Sequence, residues 1–200
     1  MRVSKFESRE EWLAARRGKI TGTRLKDIVV KRGTEKKKGF YELIAERIAI
    51  APDDENVMER GVRLEEEATA RFEKETGKKL DTSLVIWARD DNESIAISPD
   101  AFIGETEAVE VKCLCSADHI KAFLKNEVPD EYLMQTLQYF IVNDKLETLY
   151  VVFYDTRIPV KDYFTITITR ESVKLEVEMY LAYQRDTLKE VNEIVANLTF

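Results

Sequence analysis

Asp100, Glu110 and Lys112 are the residues whose types and spacing point most directly to chemistry. Glu110 and Lys112 belong to an extended run from Ala108 to Cys113 and are separated by Val111. Because side chains alternate along a strand, Glu110 and Lys112 face the same side of the predicted sheet. Asp100 ends the preceding extended run, and a hairpin would bring it opposite that side. We therefore expect two carboxylates and one ammonium group to converge at the edge of a sheet.

This trio is suited to metal-assisted cleavage of a phosphodiester bond. Carboxylate oxygens bind the hard cation Mg²⁺, which keeps several of its waters, and the cation lowers the pKa of one water to generate a nucleophile. Lys112 can position or deprotonate that water and offset the charge that develops on the phosphate. The pattern is short, however, and a salt-bridged surface hairpin would also explain it.

A further carboxylate, Glu65, lies within a helix predicted from about Met58 to Thr76 and ended by Gly77. The apolar stripe of this helix is predicted to contain Met58, Val62, Thr69 and Phe72. Glu65 lies in the middle of the stripe, whereas Glu66 and Glu67 rotate away from it. An ionised carboxylate there costs roughly several kcal/mol unless a metal ion or a basic partner compensates it.

The hydrophobic patterning predicts an α/β chain around these residues. The predicted elements are a helix from Ser8, with a capping box to Glu11, to about Arg17; a helix from Phe40 to Ala49; a β-meander formed by Leu84–Trp87, Ile95–Ser98 and the run that carries Glu110; helices from Ala117 to Lys125 and after Pro129; strands Leu149–Tyr154 and Tyr163–Ile168; and a helix from Arg170 to Leu198. On the helix after Pro129, Tyr132, Gln135 and Tyr139 share one face, which could simply pack on the sheet.

Composition limits the class of protein. The 200 residues, of which 44% are hydrophobic and 34% charged, predict one globular domain over residues 1–200. No apolar run approaches a membrane span and no secretory signal is recognised, so we expect a cytoplasmic protein with no membrane partner. His119 is the only histidine, which disfavours His-based nucleases and Ser-His-Asp hydrolases, and it leaves Cys113 and Cys115 as reduced thiols without a zinc cluster.

The formal net charge of −7 argues against tight nonspecific DNA binding but not against DNA as a substrate. A metal site concentrates carboxylates, and a local basic groove can hold DNA on a protein that is acidic elsewhere. The basic loop from Lys31 to Gly39 is equally compatible with a solvated surface and with a surface that contacts DNA.

Five ordered segments resemble a known family: WLAARRGKITGT, GVRLEEEATARFEKETG, ISPDAF, VEVKC and YLMQTLQYFIVND, which run from Trp12 to about Asp144. Together they are similar to the viral recombinase family that includes phage lambda exonuclease and the YqaJ-type proteins, within the PD-(D/E)xK nuclease superfamily. The resemblance implies a restriction-endonuclease-like core, with a mixed central β-sheet flanked by helices. It also implies a Mg²⁺-dependent 5′–3′ exonuclease that degrades one strand of linear duplex DNA to mononucleotides.

The resemblance also implies a role for each matching residue. The predicted catalytic residues are Glu65, Asp100, Glu110, Lys112 and Gln135, with Tyr132 as the tyrosine of the Y-x-x-Q motif. Asp100, Glu110 and the backbone carbonyl of Val111 would hold Mg²⁺, or Mn²⁺ in its place, with Glu65 as an additional ligand. Arg16, Thr23 and Ser98 would bind the 5′-terminal phosphate, for which arginine and hydroxyl groups are suited.

Relatives form a ring-shaped trimer around DNA and act with a single-strand annealing protein in recombination, so a homo-oligomer, such a partner and a phage or prophage origin are also implied. Two alternatives stay open. One is a restriction or repair endonuclease on the same core, which would not need Arg16 or Ser98. The other is a noncatalytic DNA-binding subunit, which would have no use for a convergence of acids.

Overall fold

The computed structural model describes residues 7–20, 22–51 and 57–198. The side chains of Trp12, Thr23, Leu25, Val57 and Met58 fall outside this description. The first four helices are α1 (Arg9–Arg16), α2 (Gly22–Ile28), α3 (Lys38–Ile48) and α4 (Val57–Thr76). The Ser8 cap predicted for α1 is confirmed, because the Ser8 hydroxyl accepts a hydrogen bond from the Glu11 backbone N–H. The reciprocal bond of a capping box is not formed, since the Glu11 carboxylate accepts from the Glu7 N–H rather than from that of Ser8.

A four-stranded mixed sheet forms the centre of the protein, with the strand order β3-β4-β5-β6. The strands are β3 (Ala101–Ile103), β4 (Glu107–Lys112), β5 (Thr148–Tyr154) and β6 (Tyr163–Thr169). β4 pairs antiparallel with β3 and parallel with β5, while β5 and β6 are antiparallel. A parallel pair needs a long crossover, which α5 (Ser116–Lys125) and α6 (Asp130–Val142) provide.

Helices cover both faces of this sheet. On one face, Ala68 and Phe72 of α4 pack with Val109 of β4 and Val152 of β5. On the other face, a larger cluster joins β5 to α6 and to Val177 of α7 (Lys174–Leu198), which follows a short 3₁₀ turn. Because both faces of β5 are covered, its residues form a nearly continuous buried run, as expected for a central strand.

The predicted β-meander is wrong in two respects. β1 (Trp87–Arg89) and β2 (Asn92–Ile97) form a separate two-stranded sheet, and the strand that pairs with β4 is β3, which the sequence did not predict. The predicted strand Leu84–Trp87 also fails, since only Trp87 belongs to a strand and Leu84 is fully exposed. The apolar run that begins at Leu84 is not covered by a neighbouring element, and most of it does not form a strand.

The stripe predicted for α4 is partly wrong. Val62 is 78% exposed, and the face turned to the protein interior instead carries Arg60, Leu64, Ala68, Thr69 and Phe72. Met58 lies outside the described side chains. Glu65 is half-buried next to this face, whereas Glu66 and Glu67 are exposed, which confirms the predicted order among the three glutamates. The predicted C-cap is also confirmed, because Gly77 has a positive φ of 70°.

The other predicted elements are confirmed with small changes in their bounds. Within the part of the chain that the structure describes, no helix combines the length and the apolar character needed to cross a membrane. Cys113 and Cys115 are free thiols, as predicted. Burial raises the pKa of each thiol to about 11, so both groups are protonated at neutral pH.

Candidate active site

The hairpin of β3 and β4 determines the position of Asp100. Asp100 does not end β2, as the sequence suggested, but immediately precedes β3. Ala101 is paired with Val109, so Asp100 lies beside the end of β4. Its carboxylate Oδ2 accepts a hydrogen bond of 2.7 Å from the Val111 backbone N–H. A predicted catalytic acid is thus attached directly to the strand that carries the other two predicted catalytic groups.

Glu110 is 2% exposed and accepts hydrogen bonds from three described side chains. Lys112 Nζ lies 2.5 Å and Gln135 Nε2 2.6 Å from Oε1 of Glu110. The Tyr139 hydroxyl donates to the other oxygen, Oε2. A buried carboxylate is tolerated when charged and neutral donors satisfy it in this way.

Lys112 is held by three groups around its ammonium. Besides Glu110, Nζ donates to Gln135 Oε1 at 2.8 Å and lies 4.5 Å from the centre of the Tyr132 ring. Gln135 and Tyr132 are one turn apart on α6, so a single helix face positions the lysine. The structure therefore brings together five of the predicted site residues, namely Asp100, Glu110, Lys112, Tyr132 and Gln135.

Neighbouring carboxylates oppose the ionisation of Asp100 and of Glu65. Burial, with the nearby Glu110 and Glu65, raises the pKa of Asp100 from 3.8 to about 7, although the Val111 N–H acts in the other direction. Burial, and then the charge of Glu110, also raises the pKa of Glu65. A divalent cation would relieve both effects, because it favours the ionised form of each acid. The electrostatics of the site and its oxygen ligands therefore fit a hard cation such as Mg²⁺.

The metal ligands themselves stay a prediction. Among the described residues, no three His, Cys, Asp or Glu side chains are grouped closely enough to hold an ion. The predicted set of Asp100 and Glu110 thus depends on the backbone carbonyl of Val111 as its third protein ligand. Glu65 is electrostatically coupled to both acids from α4.

The three residues predicted to bind a 5′-phosphate are not gathered in one described cavity. Ser98 is exposed two residues before Asp100. Arg16, at the end of α1, lines a surface cavity whose described lining also includes Arg17, Lys19, Arg24 and Lys26, but not Ser98. The side chain of Thr23 lies outside the described residues. The role of all three residues in phosphate binding stays a prediction.

Two features near the site were missed from the sequence. The contact of Tyr139 with Glu110 was not predicted, although Tyr139 shares a helix face with Gln135. A buried ionic network around the fully buried Asp155 was also not predicted: Arg157 Nε lies 2.9 Å from Asp155, and Arg157 and Arg60 both donate to the backbone carbonyl of Leu114. The signal that could have revealed this network is a pair of opposite charges at the end of an apolar strand.

Comparisons with known proteins identify the family of this chain. The model of the YqaJ-like viral recombinase domain matches residues 11–146. Protein YqaJ of Bacillus subtilis (strain 168), described as uncharacterized, is 31% identical over 136 residues. These residues cover 66% of this chain and 41% of YqaJ, so the chain spans less than half of that relative.

Two solved structures of LHK-Exo are similar along nearly the whole chain. One is LHK-Exo in complex with dAMP, with a TM-score of 0.56, and the other is described as an alkaline exonuclease from Laribacter hongkongensis, with a TM-score of 0.55. Each is 28% identical to this chain, with 95% of this chain and 100% of LHK-Exo covered.

The mixed sheet with helices on both faces is the PD-(D/E)xK fold of the lambda exonuclease type, which confirms the predicted fold class. With the recombinase domain matched over residues 11–146, this chain belongs to the YqaJ-like viral recombinase family.

Proposed function

We propose that this protein is a Mg²⁺-dependent exonuclease that degrades the 5′ strand of linear duplex DNA to mononucleotides in phage-type recombination. The observation that carries the proposal is the hydrogen-bonded set of Glu110, Lys112 and Gln135 beside Asp100, in a chain of this family. The similar LHK-Exo, an alkaline exonuclease crystallised with dAMP, supports mononucleotides as the product class.

In this proposal, Asp100, Glu110 and the Val111 carbonyl would hold Mg²⁺, and the bound cation would lower the pKa of a water and offset charge on the phosphate. Lys112 aligns the attacking water and donates to the phosphate oxygens, because two acceptors and the Tyr132 ring keep its ammonium in place. Gln135 contacts both Lys112 and Glu110, so it fixes the distance between the lysine and the acid. Glu65 adds negative potential that favours the cation, and Mn²⁺ can serve in place of Mg²⁺.

The proposal extends to the substrate end and to the assembly. Arg16, Thr23 and Ser98 bind the 5′-phosphate, residues 1–200 act as one nuclease domain, and the protein works in the cytoplasm of a bacterial host. A homotrimer around DNA and a single-strand annealing partner follow from the family resemblance.

The test is digestion of a linear duplex, labelled at either end and carrying a 5′-phosphate or a 5′-hydroxyl, with Mg²⁺ or with EDTA. We expect Mg²⁺-dependent release of nucleotides from the phosphorylated 5′ end, and a loss of at least about 100-fold in rate for Lys112→Ala. Lys145→Ala, which removes an exposed lysine remote from the site, is the matched control.

The same digestion separates the alternatives. Internal cuts on a circular or 5′-hydroxyl substrate would favour an endonuclease on this core. Binding without any cleavage, equal in the wild type and Lys112→Ala, would favour a noncatalytic subunit.

A further inference from the structure

We propose that Tyr139 is a positioning residue of the metal site, whose hydroxyl holds the Glu110 carboxylate where it can share one divalent cation with Asp100. The inference rests on the proposed function, since it concerns the metal site of that activity. Tyr139 belongs to α6 and is fully buried, and its hydroxyl is the one described donor to Oε2 of Glu110.

The position of the hydroxyl is fixed by packing. The Tyr139 ring packs edge to face on Trp87 with ring centres 6.4 Å apart, and it lies within the main core cluster. A buried phenol needs a hydrogen-bond partner, and a rigid phenol determines where that partner must lie. Glu110, itself 2% exposed, is that partner.

The described hydrogen bonds to Glu110 leave one lone-pair position of its carboxylate for a cation. A carboxylate offers about four lone-pair positions, and three are used by Lys112 and Gln135 at Oε1 and by Tyr139 at Oε2. Without the Tyr139 hydroxyl, both remaining donors act on the same oxygen. The terminal torsion of a glutamate is broad, so the carboxylate could then rotate about its anchored oxygen.

Tyr139 also interacts with the other predicted acid. Burial raises the pKa of the Tyr139 hydroxyl, the charge of Asp100 contributes to this rise, and the Asp100 carboxylate accepts a hydrogen bond from the Val111 N–H next to Glu110. The Tyr139 hydroxyl therefore interacts electrostatically with Asp100 and holds the carboxylate of Glu110 by a hydrogen bond before any cation arrives.

The test compares Tyr139→Phe with the wild type in the full chain. Calorimetric titration with Mn²⁺ or Ca²⁺ gives the metal dissociation constant without any turnover. We expect Tyr139→Phe to raise this constant about 10- to 100-fold, the usual effect of removing a group that orients a metal ligand. The Mg²⁺ concentration for half-maximal nuclease rate should rise by a similar factor.

Tyr163→Phe is the matched control, because it removes a tyrosine hydroxyl that contacts Thr165 on β6, outside the site. We expect its metal dissociation constant to equal that of the wild type within about twofold. The increase in melting temperature produced by Mn²⁺, taken for each variant against its own metal-free form, gives a second readout and confirms that each variant is folded.

The outcomes separate this inference from the proposed function. If the wild type binds metal and Tyr139→Phe binds it equally well or more tightly, Tyr139 is only a core residue and the inference fails. If Tyr139→Phe weakens metal binding but the wild type does not cleave DNA, the proposed function fails and the inference stands. A wild type that binds no divalent cation would overturn both.

Discussion

The protonation state of Asp100 depends strongly on its surroundings. Its pKa of about 7 means that the metal-free protein holds a proton there near neutral pH, whereas the unfolded chain does not. Between about pH 4 and pH 7, folding therefore takes up a proton, and the stability of the metal-free protein falls as the pH rises through this range. Above pH 7 the whole unfavourable contribution is present.

We predict that Asp100→Asn stabilises the metal-free protein at pH 8. The raised pKa corresponds to about 4 kcal/mol as an upper bound, and to about half of that after a discount for partial exposure. Thermal unfolding in EDTA should show a higher melting temperature for the variant at pH 8 and a difference that shrinks towards pH 4. A variant less stable than the wild type at pH 8 would contradict this reasoning, while nuclease activity should be lost in either case.

A second prediction at this residue concerns metal affinity and pH. A cation binds the ionised carboxylate, so binding below pH 7 must release the proton of Asp100. We expect the Mg²⁺ dissociation constant to rise about tenfold per pH unit below 7 and to level off above it. Titrations from pH 6 to pH 9 measure this, and a constant affinity across that range would show that Asp100 is not a ligand.

At the scale of elements, the end of β4 is fixed by the buried network around Asp155. Asp155 follows β5, and its carboxylate accepts from Arg157 and from the Ser116 hydroxyl at 2.7 Å, at the start of α5. Arg157 and Arg60 donate to the Leu114 carbonyl, two residues after Lys112. The network therefore joins α4, β5 and α5 around the strand end that carries the predicted catalytic lysine.

We predict that Asp155→Ala lowers the free energy of unfolding by about 3–5 kcal/mol, because it removes a fully buried carboxylate that pairs with the buried Arg157 guanidinium. Urea unfolding of the metal-free protein measures the loss. Glu105→Ala removes the partner of an exposed ion pair with Lys145 and should cost less than about 1 kcal/mol. Equal losses for the two variants would mean that the network adds nothing beyond an ordinary surface pair.

The elements also show what the sequence could and could not predict. Long helices and the strands β5 and β6 were predictable because their apolar patterns extend over seven or more residues. β3 was missed because it has three residues, too few for an alternating pattern. Leu84 was misassigned because local hydrophobicity does not reveal whether another element will cover it.

In the candidate site, the sequence motifs predicted that Asp100, Glu110, Lys112 and Gln135 lie together, and the structure brings them together. The sequence did not show whether Tyr139 belongs to the site or only packs in the core. Both roles place it on the same helix face. Only the contact between α6 and β4 in the folded protein shows that Tyr139 donates a hydrogen bond to Glu110 and does not merely fill the core.

At the scale of the whole molecule, charge is divided unevenly along the chain. Residues 1–48 contain fourteen Lys and Arg against seven Asp and Glu, whereas residues 49–200 contain seventeen against thirty-one. The basic loop before α3 is exposed from Lys31 to Lys38, and Lys38 reaches Asp118 at the start of α5, close to the end of β4. A negatively charged DNA backbone is therefore expected to lie against the N-terminal helices.

We predict that neutralising four exposed residues of this loop weakens duplex binding and lowers its salt dependence. The four substitutions are Lys31→Ser, Arg32→Ser, Lys36→Ser and Lys37→Ser. The slope of log affinity against log salt concentration should fall by about one for each phosphate that the variant no longer neutralises. Binding is measured in Ca²⁺ with a labelled duplex at several salt concentrations.

The control neutralises four exposed lysines outside this face. They are Lys74, Lys145, Lys174 and Lys189. A decrease in affinity as large in this control as in the loop variant would mean that total charge, not the basic face, governs binding.

The parallel pairing of β4 with β5 determines when, during synthesis and folding, the site residues become aligned. During synthesis, Asp100, Glu110 and Lys112 leave the ribosome well before Gln135 and before β5, yet β4 acquires its second neighbour only after the α5–α6 crossover has folded. A nascent or truncated chain that stops before residue 154 thus has the acids and the lysine but lacks the strand that aligns them. The predicted site residues are therefore aligned only once the whole sheet has formed.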